Sequence, residues 1–288
     1  MASTDALQPE KVKVTPAYLL AKKQRGEKIV RITCYDYPMA LLADRAGVDA
    51  ILVGDSCGMV VAGLSSTVPV TMDEIVYHCK AVSRAAQHAM VIGDLPFLSY
   101  QTDIRDAVYN AGRLIKEGSA DVVKLEGGED YAPTIRAIVK AGIPVVGHIG
   151  ITPQTASMSG GFKVKGTDVA TARKLIEDAK AVQAAGSFMM TLEGAPDRLA
   201  ELICKELDIP VTTMGSGPNT DGQTLNMYDI LGLFDKFTPK FVKKYANLAD
   251  VIVQALQQYK QEIETGVYPG PEHTYHMKDE VLKEILGE

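Results

Sequence analysis

The feature that most constrains this chain is a recurring pair: a short β-branched apolar run, then a longer stretch with helical spacing. "KIVRITCYD", starting at Lys28, precedes "PMALLADRAG", and "AILVGDS" precedes "TMDEIVYHCKAVSRAA". "MVIGDLPF" is followed by "DIRDAVYNAGRLIKEG", and "DVVKLEGG" by "YAPTIRAIVKAG". "PVVGHIG" leads through a glycine-rich excursion, "SGGFKVKGTD", to "VATARKLIEDAKAVQAAG", and "FMMTLEG" leads to "PDRLAELICKEL". "PVTTMGSG" opens a seventh unit, and the eighth is placed near Thr224 to Tyr228. Apolar runs this short suit strands buried on both faces, as in a parallel sheet covered by helices. Gly47, Gly118, Gly142 and Gly186 fall a few residues before strands, where a helix C-terminus needs a left-handed residue.

Eight such units in 288 residues, with no linker between them, imply an α/β fold. The expected form is a (β/α)8 TIM barrel that makes residues 1–288 a single domain. An open doubly wound sheet is the alternative. Val14 to Arg25 reads as a helix plugging the barrel's lower end. Leu248 to Thr265 reads as a long terminal helix, with "GVYPGPEHTYH" as an irregular tail.

Composition excludes several classes of function. A net charge of −6 with no lysine- and arginine-rich stretch argues against a nucleic-acid surface. No apolar run reaches the length needed to cross a bilayer, and Met1 to Pro9 lacks a signal peptide's apolar core. Cys34, Cys57, Cys79 and Cys204 show no C-x-x-C spacing, so reduced thiols in a cytoplasmic protein are expected.

The chemistry gathers at the strand ends. Asp55 and Ser56 end the second strand, Asp94 the third, Lys124 and Glu126 the fourth, His148 the fifth and Glu193 the sixth. Ser216 and Gly217 end the seventh. In a parallel barrel these ends meet at one mouth, where catalytic groups of this architecture sit. One charged strand end is commonly a helix cap; five converging are not. Asp55, Asp94 and Glu126 would repel unless a cation neutralised them or one stayed protonated. Magnesium suits such an oxygen set, with Asp55 and Asp94 binding directly and Glu126 directly or through water. The competing reading has Asp94 capping the "DLPF" turn and Glu126 pairing with Lys124.

Lys124 and Glu126, two apart on a strand, share its inner face. Neighbouring carboxylates keep the lysine charged, which favours an electrostatic clamp over a Schiff base. Glu193, set apart in a partly apolar wall, is expected to act as general base. His148 is a candidate donor to a substrate oxygen. A divalent metal, a lysine and a separate base together suit enolate chemistry on a 2-oxo acid.

"LVGDSCGMVVAGLSSTVPVTMDEIVYH", "GDLPFLSY", "VKLEGGE", "GIPVVGHIGITPQ", "GGFKVKG" and "GVYPGPEHTYH" occur in this order. Together they resemble the ketopantoate hydroxymethyltransferase family, from about Thr15 to His276. The resemblance implies a barrel of the phosphoenolpyruvate/pyruvate type. It also implies transfer of a hydroxymethyl group from 5,10-methylenetetrahydrofolate to 3-methyl-2-oxobutanoate through a metal-stabilised enolate, a step of pantothenate synthesis. By motif, Asp55, Asp94 and Glu126 match the family's metal positions, with Mg2+ or another divalent metal bound there. Asp55, Ser56, Asp94 and Lys124 match its oxo-acid contacts, Glu193 its proton acceptor, and His148 a histidine lining the site. A homodecamer is implied as well, its C-terminal segments contributing to subunit contacts. A metal-dependent carbon–carbon lyase or aldolase of the same barrel group is the alternative activity.

Two motifs depart from the family's usual reading. "LEGAP" (Leu192 to Pro196) stands where "LECVP" is usual, and "TTMGSG" (Thr212 to Gly217) where "IGIGAG" is usual. Gly194 is expected to loosen the placement of Glu193, and Met214 and Ser216 to alter the wall of the seventh strand.

Overall fold

Residues 12–288 are described by the computed structural model; the Met1 to Pro9 segment lies outside the described residues. Eight strands follow one another in space as in sequence: β1 (Ile29–Thr33), β2 (Ala50–Val53), β3 (Met90–Asp94), β4 (Val122–Glu126), β5 (Val145–Gly150), β6 (Met189–Glu193), β7 (Val211–Met214) and β8 (Gly222–Asn226). All neighbours are parallel. β1 pairs with β8, from Ile29 opposite Gly222 to Thr33 opposite Asn226, and this pairing closes the barrel and rules out the open sheet.

The period-two alternation of strand side chains divides the core into two layers. Ile29, Leu52, Met90, Ile92, Val122, Val146 and Met189 fill the barrel interior. Ile51, Val91, Val123, Leu125, Met190 and Leu192 face outward and pack with the helices. The N-terminal helix, Pro16–Gln24, starts at Thr15, whose hydroxyl accepts from the Tyr18 N–H. Its Leu19, with Val14 just before it, joins the interior cluster and closes the lower end.

That end is also stapled electrostatically. Asp49, Asp121 and Asp221 each stand one residue before a strand, and each accepts a 2.7 Å bond from a neighbouring strand's N–H: Val30, Val91 and Val211 respectively. Each also meets a lysine from the N-terminal segment: Lys22 at 2.8 Å, Lys13 at 3.0 Å and Lys23 at 2.9 Å.

Gly47, Gly142 and Gly186 take the expected positive φ. At Gly118 the reason for glycine differs: the left-handed residue is Ser119, at φ +57°. A Cβ on Gly118 would lie 2.6 Å from the Leu114 carbonyl oxygen, so close approach requires the glycine.

The eighth unit begins slightly earlier than expected, with β8 at Gly222 and a one-turn helix at Met227–Ile230. The seventh strand has no helix after it: seven residues join Met214 to Gly222. Part of the outer wall at β1 and β8 therefore has no helical cover. Val30 is 52% exposed there, and a cleft of about 540 Å³ opens between Lys28, Val30, Gln223 and Phe241. The long helix, Leu248–Glu264, contains no buried residue; Val251, Leu256 and Tyr259 are among its exposed apolar side chains. Beyond the "GVYPGPEHTYH" tail a further helix runs over Asp279–Leu286.

Candidate active site

The inward alternation that places Val122 in the core places Lys124 and Glu126 above it, with Leu125 directed to the helices. The same phase carries Asp94 inward from β3, His148 from β5 and Glu193 from β6. Asp55 arrives differently. β2 stops at Val53, and continued alternation would aim Asp55 at the helices. A turn at Gly54, where the Cys57 N–H donates to the Gly54 carbonyl at 3.1 Å, swings it into the mouth. A Cβ on Gly54 would stand 3.1 Å from Ser56 Oγ and 3.5 Å from Asp94 Oδ2, so this turn lies close beneath the reacting groups.

Asp55, Asp94, Lys124, Glu126, His148 and Glu193 are all buried, and Ser56 is half-buried. Lys124 Nζ donates to Asp94 Oδ1 at 2.8 Å and lies 3.6 Å from Glu126 Oε1. The lysine's closer partner is thus Asp94, not Glu126. Asp94 Oδ2 accepts from the Asp55 N–H at 3.3 Å. Burial lowers the proton affinity of Lys124, but Asp94, Glu126 and Asp55 outweigh it and hold the ammonium charged. Burial, with repulsion from Asp94 and Glu126, pushes Asp55 well above the usual carboxylate range. Burial raises Asp94 too, against the pull of Lys124.

His148 stands between two carboxylates. Its Nδ1 is 3.3 Å from Glu126 Oε1 and its Nε2 is 3.3 Å from Glu193 Oε2. Neither contact has hydrogen-bond geometry. Burial and Lys124 disfavour the imidazolium, yet the flanking carboxylates raise its proton affinity overall. The surroundings of Glu193 are therefore polar, not the apolar wall expected from "SFMMTLEG".

Two residues of this site carry no signal in the strand-end pattern. Gln154, buried in the loop after β5, ties together four segments. Its Nε2 donates to Asp55 Oδ2 and to the Leu95 carbonyl, each at 2.9 Å, and its N–H donates to Glu126 Oε2 at 3.1 Å. Its Oε1 accepts from the Tyr100 hydroxyl at 2.8 Å. Arg31, in the middle of β1, lies inside the barrel, its Nε donating to Thr224 Oγ1 at 2.9 Å and its Nη2 to Thr191 Oγ1 at 2.7 Å. Burial draws its pKa down to about 10, against Asp94 and Glu193, which favour the charge. It remains a cation near neutral pH.

The two family departures meet where the loops after β6 and β7 touch. Gly194 adopts φ +58°, and a Cβ there would stand 2.3 Å from Ile151 Cδ1. The loop is nonetheless held. The Gly194 N–H donates to the Met214 carbonyl at 2.9 Å, and the Gly194 carbonyl accepts from the Lys165 N–H at 3.0 Å. Ser216 Oγ accepts from the Ala195 N–H at 2.9 Å and lies 3.4 Å from the Leu192 carbonyl. The expected loosening is thus opposed by hydrogen bonds, and the Ser216 hydroxyl anchors the loop that follows Glu193.

The donor set suits a hard cation. Three buried carboxylates share one lysine, which contacts Asp94 and Glu126, and burial first, with mutual repulsion added, raises the proton affinities of Asp55 and Asp94. Among the described residues no three Asp, Glu, His or Cys side chains form a ready-made metal cage. Magnesium needs less than that, since one or two carboxylates, waters and substrate oxygens complete its shell.

Comparison with known proteins bears on this site. Residues 13–271 match the family model described as ketopantoate hydroxymethyltransferase. The 3-methyl-2-oxobutanoate hydroxymethyltransferase of Moorella thermoacetica is 58% identical over 266 residues, covering 92% of this chain and 99% of that protein. Its counterpart in Enterococcus faecalis is 50% identical over 274 residues, covering 95% and 100%. Among known structures, phosphonopyruvate hydrolase in complex with oxalate and Mg++ aligns with a TM-score of 0.59 at 12% identity, over 94% of each chain. A 2,3-dimethylmalate lyase of the PEP mutase/isocitrate lyase superfamily aligns at 0.57 and 16%, also over 94% of each. At such identities the structural likenesses establish the barrel type alone.

Proposed function

The chain belongs to the ketopantoate hydroxymethyltransferase family, and from that premise we propose the reaction its mouth performs. The substrates are 3-methyl-2-oxobutanoate and 5,10-methylenetetrahydrofolate; with one water they give 2-dehydropantoate and tetrahydrofolate. The observation that carries the reading is the convergence of Asp55, Asp94, Lys124 and Glu126 in one buried cluster, with Glu193 set apart beyond His148.

Asp55 and Asp94 would hold a magnesium ion, with Glu126 joining them directly or through water. When bound, the ion supplies Lewis acidity that withdraws electron density from a keto acid and acidifies the adjacent carbon. Water releases the donor's methylene carbon from its nitrogens as formaldehyde, leaving tetrahydrofolate. Glu193 takes the C3 proton, the resulting carbanion adds to that carbonyl carbon, and the formaldehyde oxygen takes up a proton to become the product's hydroxyl. His148, between Glu126 and Glu193, is placed to receive the C3 proton's charge or to donate to a substrate oxygen. Lys124 keeps its charge through the cycle and faces the negative charge that develops on the oxo acid.

The uncovered wall at β1 and β8, together with the bare helix Leu248–Glu264, supports assembly with further copies of the chain as a homo-oligomer, a decamer by family resemblance. The four cysteines are free and buried, which suits the reducing cytoplasm. No helix among the described residues is long and apolar enough to cross a membrane.

The deciding experiment follows 2-dehydropantoate formation with and without EDTA, alongside C3 deuterium exchange in the oxo acid. Metal-dependent product is expected with methylenetetrahydrofolate present. Exchange that never leads to product with the folate donor would favour the lyase reading; absence of both would overturn the proposal. Sedimentation equilibrium tests the assembly, and a monomer at micromolar concentration refutes it.

A further inference from the structure

Ser56 sits at the mouth with its hydroxyl already engaged from behind, and the direction of that engagement can be deduced. Asn226 ends β8. Its Oδ1 accepts from the Tyr228 N–H at 3.0 Å, which fixes the orientation of the amide, because a backbone N–H only donates. Its Nδ2 therefore faces Tyr35 and donates to Tyr35 Oη at 2.6 Å. With that oxygen accepting, the phenol directs its own hydrogen to Ser56 Oγ, 2.8 Å away. Ser56 precedes the short helix that follows, but its oxygen accepts no capping bond from it, so Tyr35 is the one donor to Ser56 Oγ among the described residues and the serine's own hydrogen is directed elsewhere.

We propose that Asn226 and Tyr35 are positioning residues: they make Ser56 an obligate hydrogen-bond donor into the mouth and so select a ligand that presents an anionic or carbonyl oxygen to it. Under the function proposed above, on which this ligand assignment rests, that oxygen belongs to the carboxylate or keto group of the 2-oxo acid. The relay runs in one sense only. It starts at a backbone amide past β8, crosses the seam that closes the barrel, and ends on the turn after β2. Tyr35 is wholly buried, and burial raises its phenol well above the ordinary range, so the proton stays on the ring oxygen. His78 Nδ1 lies 2.8 Å from the Tyr35 carbonyl, and the Tyr228 ring lies 5.5 Å from that of Tyr35, so the phenol is held in place.

Two measurements test this. A neutron map of perdeuterated protein reads the relay without substrate. Deuterium on Tyr35 Oη directed at Ser56 Oγ is expected, and deuterium on Ser56 directed at Tyr35 overturns it. Calorimetric binding of 3-methyl-2-oxobutanoate with Mg2+ then reads the consequence in a double-mutant cycle. Tyr35→Phe and Ser56→Ala should each weaken binding about tenfold, the worth of one hydrogen bond to a charged oxygen. The double variant should be no weaker than Ser56→Ala alone. Effects that multiply would refute the coupling. Asn226→Asp keeps the bond to the Tyr228 N–H but reverses the polarity toward Tyr35, and should weaken binding more than Tyr35→Phe does. C3 exchange at saturating oxo acid should stay within a few-fold of the parent in Tyr35→Phe; a collapse there instead would mark general disruption and count against the relay. If the parent protein binds no oxo acid, the functional reading falls, and the neutron map still decides the relay.

Discussion

The two ends of the barrel each gather three acidic side chains, in opposite states of burial and balance: of the lower three only Asp49 is buried, whereas all three at the mouth are. At the lower end Asp49, Asp121 and Asp221 each have a lysine of their own and a strand N–H to accept from. At the mouth Asp55, Asp94 and Glu126 are at least as deeply buried and share one lysine, with Arg31 a layer below. A buried charge without a matched partner costs stability, so evenly paired acids close the barrel and the unpaired set is held there by the rest of the fold. The difference separates structural carboxylates from functional ones.

The largest effect is expected at Glu193. Glu193→Gln keeps the size of the side chain but cannot accept a proton, so C3 deuterium exchange should fall by about 10²–10⁴-fold. Oxo-acid binding measured by calorimetry should stay within a few-fold of the parent. Unchanged exchange would mean that another group is the base.

At the lower end, Asp49→Ala leaves Lys22 and the Val30 N–H without their acceptor. Breaking a buried pair from one side should cost about 3 kcal/mol, read as an earlier urea midpoint, with turnover of the folded enzyme within twofold. Lost turnover at full stability would erase the distinction between the ends.

Asp55→Asn is expected to go the other way. It removes one of the excess buried charges while Gln154 can still donate to the amide oxygen. The metal-free protein should gain about 1–2 kcal/mol. The parent should gain about 2.7 kcal/mol from Mg2+ at a hundred times its Kd, and the variant should lose most of that response. A destabilised variant that responds normally to the ion would show that Asp55 is structural after all.

How much of this was legible beforehand depended on whether the signal was local. Strand alternation placed Asp94, Lys124, Glu126 and Glu193 on the inner face because each continues the period of its own strand. Asp55 was found for a less secure reason, since its strand ends at Val53 and only the turn at Gly54 restores its direction. Gln154 went unnoticed: it is a neutral amide in a loop, and its importance comes from Asp55, Leu95, Tyr100 and Glu126, all distant in sequence. Arg31 lay hidden between Val30 and Ile32, because its partners Thr191 and Thr224 lie on the far side of the chain. The missing seventh helix is invisible to a reading that counts strands, and Ser119 took the left-handed conformation assigned to Gly118.

The smallest effect sharpens the comparison within the mouth itself. Ser216→Ala removes the acceptor of the Ala195 N–H and the hydroxyl near the Leu192 carbonyl, on either side of Glu193. The base keeps other supports, since the Ile151 N–H donates to the Glu193 carbonyl at 2.8 Å and Gly194 is bonded through both its N–H and its carbonyl. Losing one hydrogen bond among several should cost about 1 kcal/mol, seen as a two- to fivefold slower C3 exchange. Stabilisation by Mg2+ should not change, because Asp55 is held by the turn after β2 and Asp94 by β3, not by this loop. A fall approaching a hundredfold would show that the position of Glu193 depends on Ser216 alone, since misplacement of about 1 Å is enough for such a loss. The serine would then be what makes glycine tolerable at position 194.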